Sequence, residues 1–322
     1  MSGHLEAETP IGSRGRREFL RTLAGLSVVP GALATLRAGA RNVLPNPVGY
    51  ATIAWPREEF THGLDTISRF GYRGVQLLGW VREAYPATKA QQLGEHLAAL
   101  KLKAVALSCS AVQLAPEQQG NENAEVRSYA EFFSRLGGTF LQVTDRGNPS
   151  KEYSAQDIKN LGSRMNTLGK MAQDFGLTLG YHPHFGTMGE TRQGLGRVLE
   201  ATDPQCVKLI ADVAHLALGG SDPAEVIRTY GERLCFLHLK DLRKEIAAVA
   251  RQDRNLVGGK GPPFCEIGLG IVNFAAVVQA LRAVRFSGWV VVELDGGNST
   301  LGGPDPSAGK NRDELRKIGF EV

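Results

Sequence analysis

Phe236-Leu-His-Leu-Lys-Asp241 decides the reading of this chain, together with Val290-Val-Val-Glu-Leu-Asp295 after it and Ile210-Ala-Asp-Val-Ala-His215 before it. Each is a short apolar run of strand type that ends in a histidine or carboxylate. Burying such groups costs several kcal/mol unless they are paired or coordinated. Three strands ending this way in one chain point to a built site, and metal coordination is the simplest way to satisfy it. The expectation is a metal centre at the mouth of a parallel barrel.

Working outward, apolar β-type runs alternate with helix-period segments from Val48 onward. The strand candidates are residues 50–54, 74–78, 104–108, 140–144, 177–182, 207–212, 235–240 and 289–294. Helix starts are readable between them. Ser154 with Asp157 gives a capping signal, Asp222-Pro223 sets a capping acid before a first-turn proline, and Asn273 precedes another apolar run. Gly71, Gly137 and Gly176 sit where helices should end. Eight βα units over this length predict an α/β fold, a (β/α)8 TIM barrel. A doubly wound sheet fits less well, because no G-x-G-x-x-G follows the first strand. Residues 242–270, rich in Gly, Pro and charge, read as a long loop covering the substrate.

Strand parity tests the centre. His238 and Lys240 share a face with Phe236, which leaves Cys235, Leu237 and Leu239 for the helix layer. Glu293 shares a face with Trp289, Val291 and Asp295; Asp212 with Lys208 and Ile210; and His182 and His184 with Gly180. Every candidate ligand can therefore face the barrel axis. Imidazole and carboxylate donors without thiolate suit a divalent metal: Mn, Co, Zn or Mg. Such an ion can bind the carbonyl and adjacent hydroxyl oxygens of a sugar and stabilise the enediolate formed when the α-proton leaves. A nearby carboxylate or histidine then serves as general base.

The 322 residues are 42% hydrophobic and 22% charged, with a net charge of +4, an ordinary globular balance without the basic patch nucleic acid would need. The four cysteines, at 109, 206, 235 and 265, form no C-x-x-C and no disulfide framework. The N-terminus carries Arg16-Arg17 with Phe19-Leu20, a weakly apolar segment at 23–36 and Ala38-Gly-Ala40. This resembles a twin-arginine export signal, so residues 1–40 are set apart from residues 41–322, and a periplasmic or otherwise exported location is expected. The apolar segment is too short and too interrupted for a typical membrane span, so no membrane association is expected once the signal is cleaved.

Taken as a set, YHPHFGT (181–187), the D-x-x-H of Asp212 to His215, FLHLKD and GWVVVELD resemble the xylose-isomerase-like TIM-barrel superfamily of sugar isomerases and epimerases, nearest its myo-inosose dehydratase branch. Gly268-Leu-Gly-Ile-Val-Asn-Phe and Phe70-Gly-Tyr-Arg-Gly-Val-Gln-Leu add to the resemblance, which covers roughly residues 48–295. It implies that Asp212, His238 and Glu293 are metal ligands and that His215 contacts substrate. Lys240 and Asp241 match a polar pair after the strand-seven histidine; a plain salt bridge between them is the alternative. At strand five the pattern departs, because many relatives have a ligand glutamate where Gly180-Tyr181-His182 stands. His182 or His184 could supply the fourth ligand, or Glu190 could reach in from the loop; His184 is set down as the ligand, and His182, His215, Lys240 and Glu190 as the catalytic set. Gln142, Asp145 and Arg146 could meet sugar hydroxyls, and Trp55 and Trp80 could stack on a sugar ring or pack in the core. The implied activity is metal-dependent α-proton abstraction on an unphosphorylated keto-sugar or keto-cyclitol, giving isomerisation, epimerisation or loss of water. The alternative is a non-catalytic exported sugar-binding barrel; a metal-dependent endonuclease of the related barrel type ranks last. The oligomeric state is open, a homo-oligomer included.

Overall fold

The computed structural model describes residues 43–146, 153–250, 252 and 262–322. Eight parallel strands close into a barrel in sequential order: β1 (Val48–Ala51), β2 (Gly74–Leu78), β3 (Lys103–Ser108), β4 (Phe140–Val143), β5 (Thr178–Tyr181), β6 (Val207–Asp212), β7 (Leu234–Leu239) and β8 (Trp289–Val292), which pairs back onto β1. All eight are expected from the sequence, and the TIM barrel is what the chain forms. Helices connect the strands and cover the outside, as the near-continuous apolar strands require. The first candidate starts and ends earlier than expected, because residues 52–54 wind into a 3₁₀ turn.

The caps follow the sequence. Ser154 and Asp157 form a reciprocal capping box, Asp222 accepts from the Ala224 amide with Pro223 in the first turn, and Asn273 accepts from Ala276. Gly71 and Gly176 end helices at φ +90° and +72°, a conformation that disfavours any residue with a Cβ.

The barrel floor is filled by Ala51, Val105, Ala106, Ile210, Cys235, Phe236 and Val291, with Phe140 and Trp289 packed against them. Gly74 makes room: a Cβ there would lie 2.4 Å from Val105 Cγ2 and 2.8 Å from the Trp289 ring. Cys235 corrects the sequence reading, which put it in the helix layer. Leu209 pairs with Leu234 but Ile210 with Phe236, so Cys235 is the extra residue of a bulge and turns inward beside Phe236. Val105 is the matching bulge residue between β2 and β3.

Beyond β7, Asp241–Leu242 pairs antiparallel with Phe264–Cys265, and a helix spans Lys244–Ala250. The middle of the expected covering loop, 251 and 253–261, lies outside the described residues, as do 1–42 with the expected export signal. Among the described residues, no helix is long and apolar enough to cross a membrane. The described cysteines are all free.

Candidate metal centre

Four buried side chains meet at the C-terminal end of the barrel: His182, Asp212, His238 and Glu293 each offer a donor atom within 4.8 Å of the others. His182 follows β5 directly; its amide still bonds Val143 O at 2.8 Å, so it keeps the inward parity of the strand. Pro183 cannot continue the ladder, and the chain turns there. Asp212 ends β6 and caps the helix Val213–Leu218: Oδ1 accepts from the Ala214 and His215 amides at 2.9 and 3.0 Å. That cap explains the D-x-x-H spacing, since His215 sits three residues past the cap and is lifted to the rim. The other carboxylate oxygen, Oδ2, faces the centre, 3.3 Å from His182 Nε2, 3.6 Å from His238 Nδ1 and 3.2 Å from Lys240 Nζ.

The separations fit an ion. Donors each about 2.1 Å from one metal at tetrahedral or octahedral angles lie about 3.0–3.4 Å apart. His182 Nε2 is 3.2 Å from His238 Nδ1 and 3.3 Å from Asp212 Oδ2, while Glu293 Oε2 lies 3.4 Å from the other ring nitrogen of His238, Nε2. Lys240 completes the charge pattern. Its Nζ lies 2.7 Å from Glu293 Oε1 and 3.2 Å from Asp295 Oδ2, over the Phe264 ring at 4.5 Å. Burial works against each ion here, but the pairing outweighs it. The Asp212 carboxyl is held well below the usual range, chiefly by Lys240, and Glu293 is held down to about 2 by His238 and Lys240, while three carboxylates push Lys240 up.

A second group joins His182, His184 and His215. His184 Nε2 is 3.1 Å from His182 Nδ1, and the His184 and His215 rings stack 4.4 Å apart at 18°. Imidazole donors act in the ring plane, so one ion cannot lie in both of these nearly parallel planes. The first group fits a metal and the second fits it poorly. Of the two histidines open for the fourth ligand, His182 joins Asp212, His238 and Glu293, whereas His184, set down as the ligand, falls only in the second group. Burial, with neighbouring positive groups, lowers all three histidines, His184 to about 3, so they are neutral imidazoles near pH 7. His215 Nδ1 accepts from the Phe185 amide at 3.2 Å, leaving Nε2 to carry its proton.

The remaining candidates are placed differently. Glu190 belongs to neither donor group; its Oε2 accepts from the Gly186 amide at 2.8 Å within the β5 loop. Asp145 uses one oxygen for the Tyr181 hydroxyl at the end of β5 and the other for the Met188 amide in the loop. Arg146 is exposed. Trp55 is buried against Tyr50, with Nε1 donating to Asp305, and Trp80 packs edge-on to Phe60 with Arg57 over its ring. Asp241 turns away from Lys240, and no salt bridge joins the two. Its carboxylate accepts from the amides of Leu242, Gly268, Gly270 and Val272. A Cβ at Gly270 would sit 2.3 Å from Asp241 Oδ1, which accounts for that glycine, while Gly268 adopts φ +86°.

Gln76 is the residue missed in the sequence. Buried on β2, it bonds His238 and Glu293 from below and reaches Gln142 and Ser108. A polar side chain in mid-strand, facing the axis between Val75 and Leu77, was the available signal.

Fold and site together define a parallel barrel with an imidazole–carboxylate cluster at the C-terminal end of its strands. Residues 64–318 match the family model described as Xylose isomerase-like TIM barrel, and the chain belongs to that family. An inosose dehydratase of Lacticaseibacillus casei is 24% identical over 271 residues, 77% of this chain and 89% of the relative. Among solved structures, the IolI protein with a bound zinc atom superposes with TM-score 0.71 at 16% identity, covering 86% of this chain and 100% of that one. D-psicose 3-epimerase from Clostridium cellulolyticum H10, solved with D-tagatose, gives 0.70 at 16%, covering 85% and 100%.

Proposed function

We propose that the chain is a divalent-metal-dependent enzyme that removes the proton α to a carbonyl on an unphosphorylated keto-sugar or keto-cyclitol, with isomerisation, epimerisation or loss of water as the outcome. The observation that carries this is the buried set His182, Asp212, His238 and Glu293, whose donor atoms all lie within 4.8 Å of one another. In this reading His182, not His184, is the fourth ligand. These four residues would hold a divalent cation, which would supply Lewis acidity toward the carbonyl and adjacent hydroxyl oxygens of a substrate. Lys240 balances the carboxylates and fixes Glu293 in place. His184 and His215, half-buried and stacked on each other, stand at the rim of the centre, where a substrate held there would meet them. Names among the relatives support the substrate class: an inosose dehydratase and an epimerase solved with a free ketose.

The experiment is hydrogen exchange into D2O at the carbon next to the carbonyl of keto-inositols, free ketoses and 3-keto-glycosides. Exchange that disappears on chelation and returns with Mn²⁺ or Co²⁺ is expected. Full exchange after exhaustive metal removal overturns the reading. Tight sugar binding with no exchange on any of these favours the non-catalytic sugar-binding barrel instead. The Arg16-Arg17 segment supports export of the folded protein to the periplasm; fractionation of cells carrying Arg16→Lys, Arg17→Lys should show the protein retained inside.

A further inference from the structure

We infer that Gln76 is a positioning residue that fixes the tautomer of His238, so that the imidazole presents a bare Nδ1 to the metal. The inference rests on the metal reading above and goes beyond its ligand set.

Gln76 sits in the middle of β2, fully enclosed, and its side-chain amide has one consistent orientation. The nitrogen Nε2 faces Ser108 Oγ at 2.9 Å, Gln142 Oε1 at 3.2 Å and Glu293 Oε2 at 3.3 Å. Two of these three are atoms that only accept, so the reversed amide would set its oxygen against oxygens. With Nε2 so placed, Oε1 points at His238 Nε2, 2.6 Å away. The other neighbour of that ring nitrogen is Glu293 Oε2 at 3.4 Å, also an acceptor. His238 Nε2 is therefore surrounded by acceptors and must carry the proton. In the singly protonated ring that can bind a metal, Nδ1 is then the bare nitrogen, facing His182 Nε2 and Asp212 Oδ2.

One uncharged side chain thus does two things for the centre. It chooses which nitrogen of His238 is the donor, and it tethers the Glu293 carboxylate through an N–H bond. Ligating histidines generally give their second N–H to an oxygen acceptor, which orients the ring and raises its basicity. A glutamine performs this without adding a further negative charge to a pocket that already holds Asp212, Glu293 and Asp295.

The test uses protein labelled with ¹⁵N at its seven histidines, with His238 assigned by comparison with His238→Gln. In the metal-free wild type, long-range ¹H–¹⁵N spectra should show His238 with Nε2 protonated and Nδ1 bare. Gln76→Leu should give a mixed tautomer and a zinc affinity, measured by chelator competition, lower by about 10- to 100-fold. Gln76→Glu keeps an acceptor below the ring and should keep the Nε2–H form. A wild-type His238 protonated at Nδ1, an unchanged tautomer in Gln76→Leu, or loss of the Nε2–H form in Gln76→Glu would overturn the inference. The failures are separable: no zinc binding by a wild type that shows the Nε2–H form sinks the metal reading and leaves the tautomer control standing.

Discussion

Lys240 Nζ lies 2.7 Å from Glu293 Oε1 in a buried pocket that also brings Asp212 and Asp295 within 3.2 Å of the same ammonium. One cation thus serves three carboxylates, and two of those belong to the proposed ligand set.

Removing that cation leaves buried negative charge uncompensated. Lys240→Met should destabilise the metal-free protein by about 3–5 kcal/mol, the cost of breaking a buried pair from one side. Added Mn²⁺ or Zn²⁺ should restore more of the melting temperature in the variant than in the wild type, because a divalent ion replaces the missing charge. Equal metal-induced shifts in the two proteins would contradict the role given to Lys240.

Acid should weaken the metal-free protein well before ordinary carboxylates titrate. His184 is depressed to about 3 by burial, then by His182 and Lys240, while its unfolded value is near 6.5. Between those values the unfolded chain binds a proton that the folded chain does not, so stability is full above about 6.5 and falls as pH drops toward 3. Glu293, held at about 2, adds a loss of the same sign below about 4.5. Urea midpoints at pH 7.5 and 5 measure this; a flat profile between them would count against neutral buried imidazoles.

Asp241→Ala should cost about 2–4 kcal/mol, since it strips the acceptor from the Gly268, Gly270 and Val272 amides. Hydrogen exchange at those amides should speed up in the variant. Unchanged exchange there would show that another group holds the turn.

Gly74→Ala introduces a Cβ 2.4 Å from Val105 Cγ2 and 2.8 Å from the Trp289 ring, both in the packed floor. The expected loss is about 1–3 kcal/mol, the usual range for overpacking, read from urea unfolding. A neutral result would mean that Trp289 has room to move.

Much of this was legible in the sequence. Asp212, His238 and Glu293 stand at or beside the ends of regular strands, where alternation fixes direction, and all three face the axis. Parity failed where the ladder is irregular. Cys235 turns inward because a bulge inserts it opposite β6, and no residue pattern marks that bulge. His184 shares the parity of His182 on paper, but Pro183 ends the strand and parity loses its meaning one residue later. Gln76 was overlooked because attention to charged strand ends passes over an uncharged residue in mid-strand. The roles of Asp145 and Glu190 depend on how the 182–190 loop folds back, a tertiary matter that local pattern does not encode.

The most direct test of the central claim is metal content by elemental analysis after incubation with Mn²⁺, Co²⁺ or Zn²⁺ and dialysis. It should be run on the wild type and on Asp212→Ala, His182→Ala and His184→Ala. About one ion per chain in the wild type and in His184→Ala, with loss from Asp212→Ala and His182→Ala, is the expected result. An empty wild type, or full occupancy in Asp212→Ala and His182→Ala, would contradict the metal centre as drawn.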